Sequence, residues 1–357
     1  MFDARGESVR RRPRTKGTGL SDLEIGLARY LAHRMPSASG IEVSGLSRIH
    51  GGSSQETYRY EAKWSEAGEA KQGWFILRRA PEAGLVNAEH DLEYTVYSAL
   101  AGKGVPIPRV HFLELDRQWL ERPFFIMDMA PGKPGHFFNS EDPYEGESGA
   151  VGRNFWTHLG ALASLDTGGL GLDMLRGAGD PRPAWQRELD HWEQRLDEGE
   201  DIVEPLLRGA IRWMRRNPPP RPARLSVVHG DYRSGNFLFL PDGAISAVLD
   251  WEMCHLGDPL EDIAWALDPM WSMGRYFDEE RGLELWQQAS GIAIDREALD
   301  WWRLFAAIKA SAIWTTAEKS VEEGVSQEMV LGLTVSRAGP FHRGVVLRAM
   351  ERRGVMG

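Results

Sequence analysis

Apolar residues recur at helical intervals through SDLEIGLARYLAHRM, residues 21–35, and Ser21 and Glu24 stand at capping-box spacing; together they predict a first amphipathic helix. IEVSGLSRI, TYRYEAKW and GWFILRRA follow, rich in β-branched and aromatic residues and separated by Gly-containing breaks, which predicts strands of an antiparallel sheet. The segment AEHDLEYTVYSALAGKG returns to helical periodicity and ends in glycines, and extended runs come after it at 109–115 and 123–129. At APGKPG, residues 130–135, the pattern changes, and VGRNFWTHLGALASL and WQRELDHWEQRLDEG open a mainly helical stretch. The expected fold class is therefore α+β: a disordered basic tail over 1–20, a small antiparallel-sheet lobe with one main helix over 21–130, and a larger, mainly helical lobe over 131–357. No internal repeat is visible.

One polar cluster interrupts the helical lobe. LSVV precedes HGDYRSGN, FLFL follows it, and PDGA, residues 241–244, is a turn sequence leading into ISAVL, so a β-hairpin is predicted. Pairing Leu240 with Ile245 puts Asn236 opposite Leu249 and brings Asp250 back beside Asn236. Asn236 and Asp250 offer hard oxygen ligands suited to Mg²⁺. Asp231 can face the same space, orient a hydroxyl and accept its proton, and Arg233 adds a permanent cation. Each residue alone is common in turns. The combination of H-x-D, a four-residue gap to Asn and a returning Asp points to a site, with an anionic phosphoryl group reconciling the charges.

Composition narrows the partners. Among 357 residues, 52 acidic and 42 basic side chains give a net charge of −10, which argues against general affinity for nucleic acid or an anionic membrane and favours a small-molecule partner. Cys254 is the one cysteine, so no internal disulfide forms, and a reducing, cytoplasmic setting is expected. The basic start has no apolar core and no long apolar run occurs, so neither a signal peptide nor a membrane span is expected. Oligomeric state is not readable.

HGDYRSGN followed by VLDWE resembles the aminoglycoside phosphotransferase-like family of small-molecule kinases, of the choline kinase type, which share the bilobal protein-kinase-like fold. The resemblance implies ATP and Mg²⁺ as cofactors, Asp231 as catalytic base, Asn236 and Asp250 as metal ligands, and Arg233 at a position that neutralises the transferred phosphate. It gives His229 a mainly structural role. IHGGSSQETYRY resembles the family's nucleotide loop, with the backbone at Gly51 and Gly52 approaching phosphates and Ser53 and Ser54 adding donors. In FILRR, Arg78 takes the place of the usual phosphate-binding lysine, with Glu93, or Glu89 one turn earlier, as its carboxylate partner. FFIMDMAPG resembles the hinge, in which the backbone of Asp128, Met129 and Ala130 would bond adenine beside Met127. In HLGDPLEDIAW, Asp258 and Glu261 fit a helix cap, and the segment is expected to hold Asp250 through its loop.

VLDWEMCHLGDPLEDIAW and GGSSQETY resemble the antibiotic-resistance members less than the branch containing kinase domains fused to some acyl-CoA dehydrogenases and free-standing kinases of hydroxyacyl-CoA thioesters. That implies transfer of the γ-phosphoryl group of Mg-ATP to a small-molecule hydroxyl, with a hydroxyacyl-CoA as the favoured acceptor. An aminoglycoside or macrolide kinase and a non-catalytic nucleotide-binding module are the alternatives. A protein-serine kinase is disfavoured, because VLDWE passes to GDP without a long activation segment.

Overall fold

The computed structural model describes residues 20–49, 55–80, 88–135, 142–199, 203–271, 273–324 and 329–354. Residues 1–19 of the expected basic tail, and Gly51, Gly52, Ser53 and Ser54 of the expected nucleotide loop, lie outside the described residues. The chain divides into two compact units, one from residues 1–90 and 111–129, the other from residues 91–110 and 130–357.

In the first unit, helix α1 (Leu20–Arg34) precedes strands β1 (Ala38–Ile49), β2 (Glu56–Glu66) and β3 (Glu69–Arg79). β1 pairs antiparallel with β2, and β2 with β3 in unbroken register from Glu56↔Arg79 to Glu66↔Glu69. Strands β4 (Val110–Glu114) and β5 (Phe124–Asp128) complete a five-stranded sheet of order β1-β2-β3-β5-β4. Leu23, Leu27, Tyr30 and Leu31 form one stripe of α1, at the spacing that aligns side chains on a helix face. They bury against Leu46, Tyr58, Tyr60, Leu77, Phe124 and Ile126, the inward members of alternating strands. Glu24 does not close a capping box with Ser21: its Oε1 accepts from the Leu46 N–H at 3.0 Å, stitching the helix to β1. That long-range acceptor is invisible to a local spacing rule.

Helix α2 (Ala88–Leu100) carries the chain into the second unit. The sequence assigned all of 21–130 to the sheet-rich lobe, whereas Asp91–Val110 belongs with the helical unit. One reason is visible: the Pro106 carbonyl accepts from the Val248 N–H at 2.7 Å, tying this segment to the central hairpin.

The second unit continues with β6 (Lys133–Pro134), α3 (Ser148–Ser164), α4 (Ala184–Gly199), α5 (Pro205–Arg216), β7 (Ser226–Val228), β8 (Phe237–Phe239), β9 (Ile245–Val248), β10 (His255–Gly257), α6 (Leu260–Ala266), α7 (Glu279–Ser290), α8 (Arg296–Glu322) and α9 (Met329–Arg352). Helices α3 and α7 pack together, as do α8 and α9, and α8 also meets α4 and α6. Gly160 on α3 makes the first contact possible, because a Cβ there would lie 2.7 Å from the Trp286 carbonyl. Two small ladders sit among the helices: β10 with β7, and β6-β8-β9. The α+β class with antiparallel strands first and helices after is as expected. No helix among the described residues is long and apolar enough to cross a membrane.

Candidate active site

The loop between β7 and β8 holds Asp231, Arg233 and Asn236, and the β8–β9 hairpin returns to Asp250. Phe237 pairs with Val248 and Leu238 with Ala247, and the Leu249 N–H donates to the Asn236 carbonyl at 2.8 Å, so Asn236 stands opposite Leu249 as the alternation predicted. The register at the turn differs by one residue. Leu240 donates to Ala244, not to Ile245, and a bulge at Ser246 absorbs the difference before the ladder reaches Asn236. Asp250 has φ 71°, a left-handed conformation that aspartate tolerates better than most side chains.

Asp231 is 8% exposed, and three side chains bind its carboxylate. Trp265 Nε1 donates to Oδ1 at 2.7 Å and Arg233 Nε to the same oxygen at 2.8 Å. Asn236 Nδ2 donates to Oδ2 at 2.5 Å and to the Asp231 carbonyl at 2.9 Å. These two bonds fix the Asn236 amide with its nitrogen toward Asp231, leaving its oxygen as the atom able to serve a cation. An amide oxygen and the Asp250 carboxylate are hard donors, so this pair fits Mg²⁺. Arg233, expected beside a phosphate, lies against Asp231, with its guanidinium carbon 5.8 Å from the Trp271 ring centre.

The backbone of this loop is gripped from several sides. Asp262 on α6 accepts from the His229 N–H at 2.7 Å and the Gly230 N–H at 2.9 Å. Burial outweighs those bonds and raises the Asp262 carboxyl to about 6. Gly230 has φ 83°, and a Cβ there would sit 2.6 Å from the Met253 carbonyl, so only glycine fits. Tyr232 Oη donates to the Phe155 carbonyl, and Ser234 pairs with Tyr144 at 2.5 Å.

His229 joins the two halves of the site. Its Nδ1 accepts from the Asp231 N–H at 3.1 Å, so Nε2 carries the proton donated to the Leu249 carbonyl at 3.0 Å. Complete burial, only partly opposed by Asp231, lowers its pKa to about 4 and keeps it neutral. It ties the backbone of Asp231 to the residue preceding Asp250, which is the structural role expected of it.

Beneath the loop lies a buried ionic group that the sequence did not disclose. Lys309 on α8 donates to the Gly230 carbonyl at 2.5 Å and to Glu261 at 3.0 Å, and its ammonium lies 4.7 Å from the Trp265 ring centre. His255 faces Glu261 through Nε2 at 3.0 Å and the Met253 carbonyl through Nδ1 at 2.9 Å. Two acceptors call for two N–H groups, and the Glu188 and Glu261 charges outweigh burial to raise its pKa. Burial would raise the Glu261 carboxyl, but His255 and Lys309 outweigh it and hold it below the usual carboxylate range. Glu188, His255 and Glu261 have the spacing of a metal triad, yet Lys309 and Arg176 already supply the cations, so the cluster is an ion-pair network. Glu261 therefore does not close a capping box. Asp258 does accept from the Leu260 N–H at 2.9 Å, and through Asp262 helix α6 grips the Asp231 loop.

In the first unit, Arg78 Nε donates to Gln55 at 3.2 Å. Glu93 is buried on α2, in the second unit. Met127 is buried on β5, and the Asp128 carboxylate meets His111 at 2.6 Å. Met129, expected to bond adenine through its backbone, already donates its N–H to the Trp74 carbonyl at 3.1 Å, which continues the β3–β5 ladder. Ala130 belongs to the second unit and opens its longer segment.

Comparison with known proteins agrees with this architecture. A chain from Ralstonia eutropha JMP134, given as a candidate aminoglycoside phosphotransferase, aligns at 23% identity with a TM-score of 0.69, covering 92% of this chain and 98% of that one. Aminoglycoside phosphotransferase APH(4)-Ia, in a ternary complex with ADP and hygromycin B, aligns at 18% identity and a TM-score of 0.58, covering 91% and 98%. Acyl-CoA dehydrogenase family member 10 of Mus musculus is 30% identical over 198 residues, 54% of this chain and 18% of that protein. The chain spans 18% of the length of that relative and 39% of acyl-CoA dehydrogenase family member 11 of Mus musculus, to which it is 24% identical over 324 residues. The sequence profile of the phosphotransferase enzyme family matches residues 45–303, and with most of its length inside that match the chain belongs to this family.

Proposed function

We propose that the protein transfers the γ-phosphoryl group of ATP to a hydroxyl of a small molecule, with a hydroxyacyl-CoA as acceptor. The observation that carries this reading is the Asp231 carboxylate, nearly buried and held by three side-chain donors beside an amide oriented for a cation. A carboxylate so fixed meets an incoming hydroxyl without reorganising, and such pre-positioning is the main means of catalysing phosphoryl transfer. Asp231 takes the hydroxyl proton in this reading, and Arg233 offsets negative charge beside it. Asn236 and Asp250 would hold Mg²⁺, which when bound neutralises phosphate oxygens. Gly51, Gly52, Ser53, Ser54, Arg78, Met127 and the backbone of Asp128 and Ala130 are proposed nucleotide contacts, with Glu93 as a supporting carboxylate.

ATP use is supported by the ADP complex of the similarly folded APH(4)-Ia. The acyl acceptor is supported by similarity to acyl-CoA dehydrogenase family member 10, and an antibiotic acceptor by the fold of the aminoglycoside enzyme. A screen for ADP release against hydroxyacyl-CoAs, aminoglycosides and macrolides decides between them; release with an aminoglycoside alone would overturn the acyl assignment. Asp231→Asn is expected to cut kcat by about a thousandfold while retaining nucleotide binding, and Asp250→Ala to weaken Mg-ATP binding measured by calorimetry. Wild-type turnover by the first variant would remove Asp231 as base.

A further inference from the structure

The three donors on Asp231 are distributed unevenly between its two oxygens. A carboxylate oxygen has two lone-pair sites. On Oδ1 both are taken, by Trp265 Nε1 and Arg233 Nε. On Oδ2, among the described residues, Asn236 Nδ2 takes one. The indole is itself fixed. Its ring lies 4.5 Å from the Trp271 ring, the Trp265 main-chain carbonyl accepts from Trp271 Nε1 at 2.7 Å, and Lys309 stands over the indole face. Asp262, one turn earlier on α6, holds the backbone just before Asp231. One helix thus fixes both the backbone leading into Asp231 and one oxygen of its carboxylate.

We propose that Trp265 is a positioning residue for phosphoryl transfer: its indole N–H, with Arg233, saturates Oδ1, so that Oδ2 is the atom that takes the acceptor's proton. This rests on Asp231 acting as base. In the step, the acceptor O–H bond breaks and its proton goes to Oδ2. The hydroxyl oxygen bonds to the γ-phosphorus, and the bond from that phosphorus to the bridging oxygen breaks, its electron pair leaving on ADP. Without the indole N–H, Oδ1 regains an open lone pair and the carboxylate gains a second orientation. The productive one is then populated only part of the time.

Two measurements test this on the full chain. The first needs no substrate. With ¹⁵N-labelled tryptophan, the Trp265 indole N–H signal, one of 14, is assigned through its contacts with Trp271 and compared between wild type and Asp231→Asn. An upfield shift confined to that signal and its neighbours is expected; an unchanged Trp265 signal overturns the proposal. The second is a double-mutant cycle on ADP release with a 3-hydroxyacyl-CoA. Trp265→Phe should lower kcat about tenfold or more with KM for ATP within about twofold, and cause no further loss in the Asp231→Asn background. A Trp265→Phe enzyme with wild-type kcat, or an undiminished loss in the Asp231→Asn background, overturns the role of Trp265. Wild-type turnover by Asp231→Asn instead overturns the base, while the indole shift still reports the hydrogen bond.

Discussion

At His229, two hydrogen bonds and a buried ring fix one protonation state. The unfolded residue titrates near 6.5 and the folded one near 4. As pH falls from 6.5 to 4, the unfolded chain binds a proton that the native ring refuses. The stability from this residue is therefore fully present above 6.5, erodes through that window and is gone by about 4. The loss amounts to about 3 kcal/mol. His229→Gln removes the titration, so urea denaturation at pH 7 and pH 4.5 should show the gap between wild type and variant narrowing on acidification; a constant gap would contradict the buried neutral ring. The histidine's scaffold role was legible in HGDYRSGN, as were Asp231, Asn236 and Asp250, because all lie within one loop and hairpin. Trp265, Asp262 and Lys309 were not. They reach the loop from 32 to 79 residues further along the chain, and no spacing rule connects a tryptophan on one helix to a carboxylate on a distant loop.

Among the elements, the β8–β9 hairpin and helices α6 and α8 set the loop. The hairpin's alternation was readable to the residue at Asn236, whereas the bulge at Ser246 was not, since it depends on how the turn closes. Helix α6 was readable as a helix, and Asp258 as the acceptor at its start. The partners of Glu261 were hidden, because Lys309 looks like an ordinary charge in the apolar pattern of α8, although it is 1% exposed. Lys309→Met leaves the Gly230 carbonyl and Glu261 without their ammonium in a buried setting. A loss of about 3–5 kcal/mol is expected in chemical denaturation, with kcat falling as the loop loosens. A variant as stable as wild type would show that the network contributes little to holding the loop.

At the scale of the whole molecule, the net charge of −10 acts on any charged acceptor approaching it. Raising salt from roughly 20 to 200 mM screens that field, so kcat/KM should rise for an anionic hydroxyacyl-CoA and fall for a cationic aminoglycoside. An opposite sign for the acyl substrate would point to a local cationic patch dominating its approach. The ammonium that holds the Gly230 carbonyl also has a consequence in time. It belongs to residue 309, beyond the match to the family profile, which ends at 303. During synthesis the loop carrying the proposed base is made well before the helix that secures it. In the proposed function catalytic competence is thus acquired late: a chain halted before α8 would carry every residue of the recognised motif yet lack the ammonium that holds the loop.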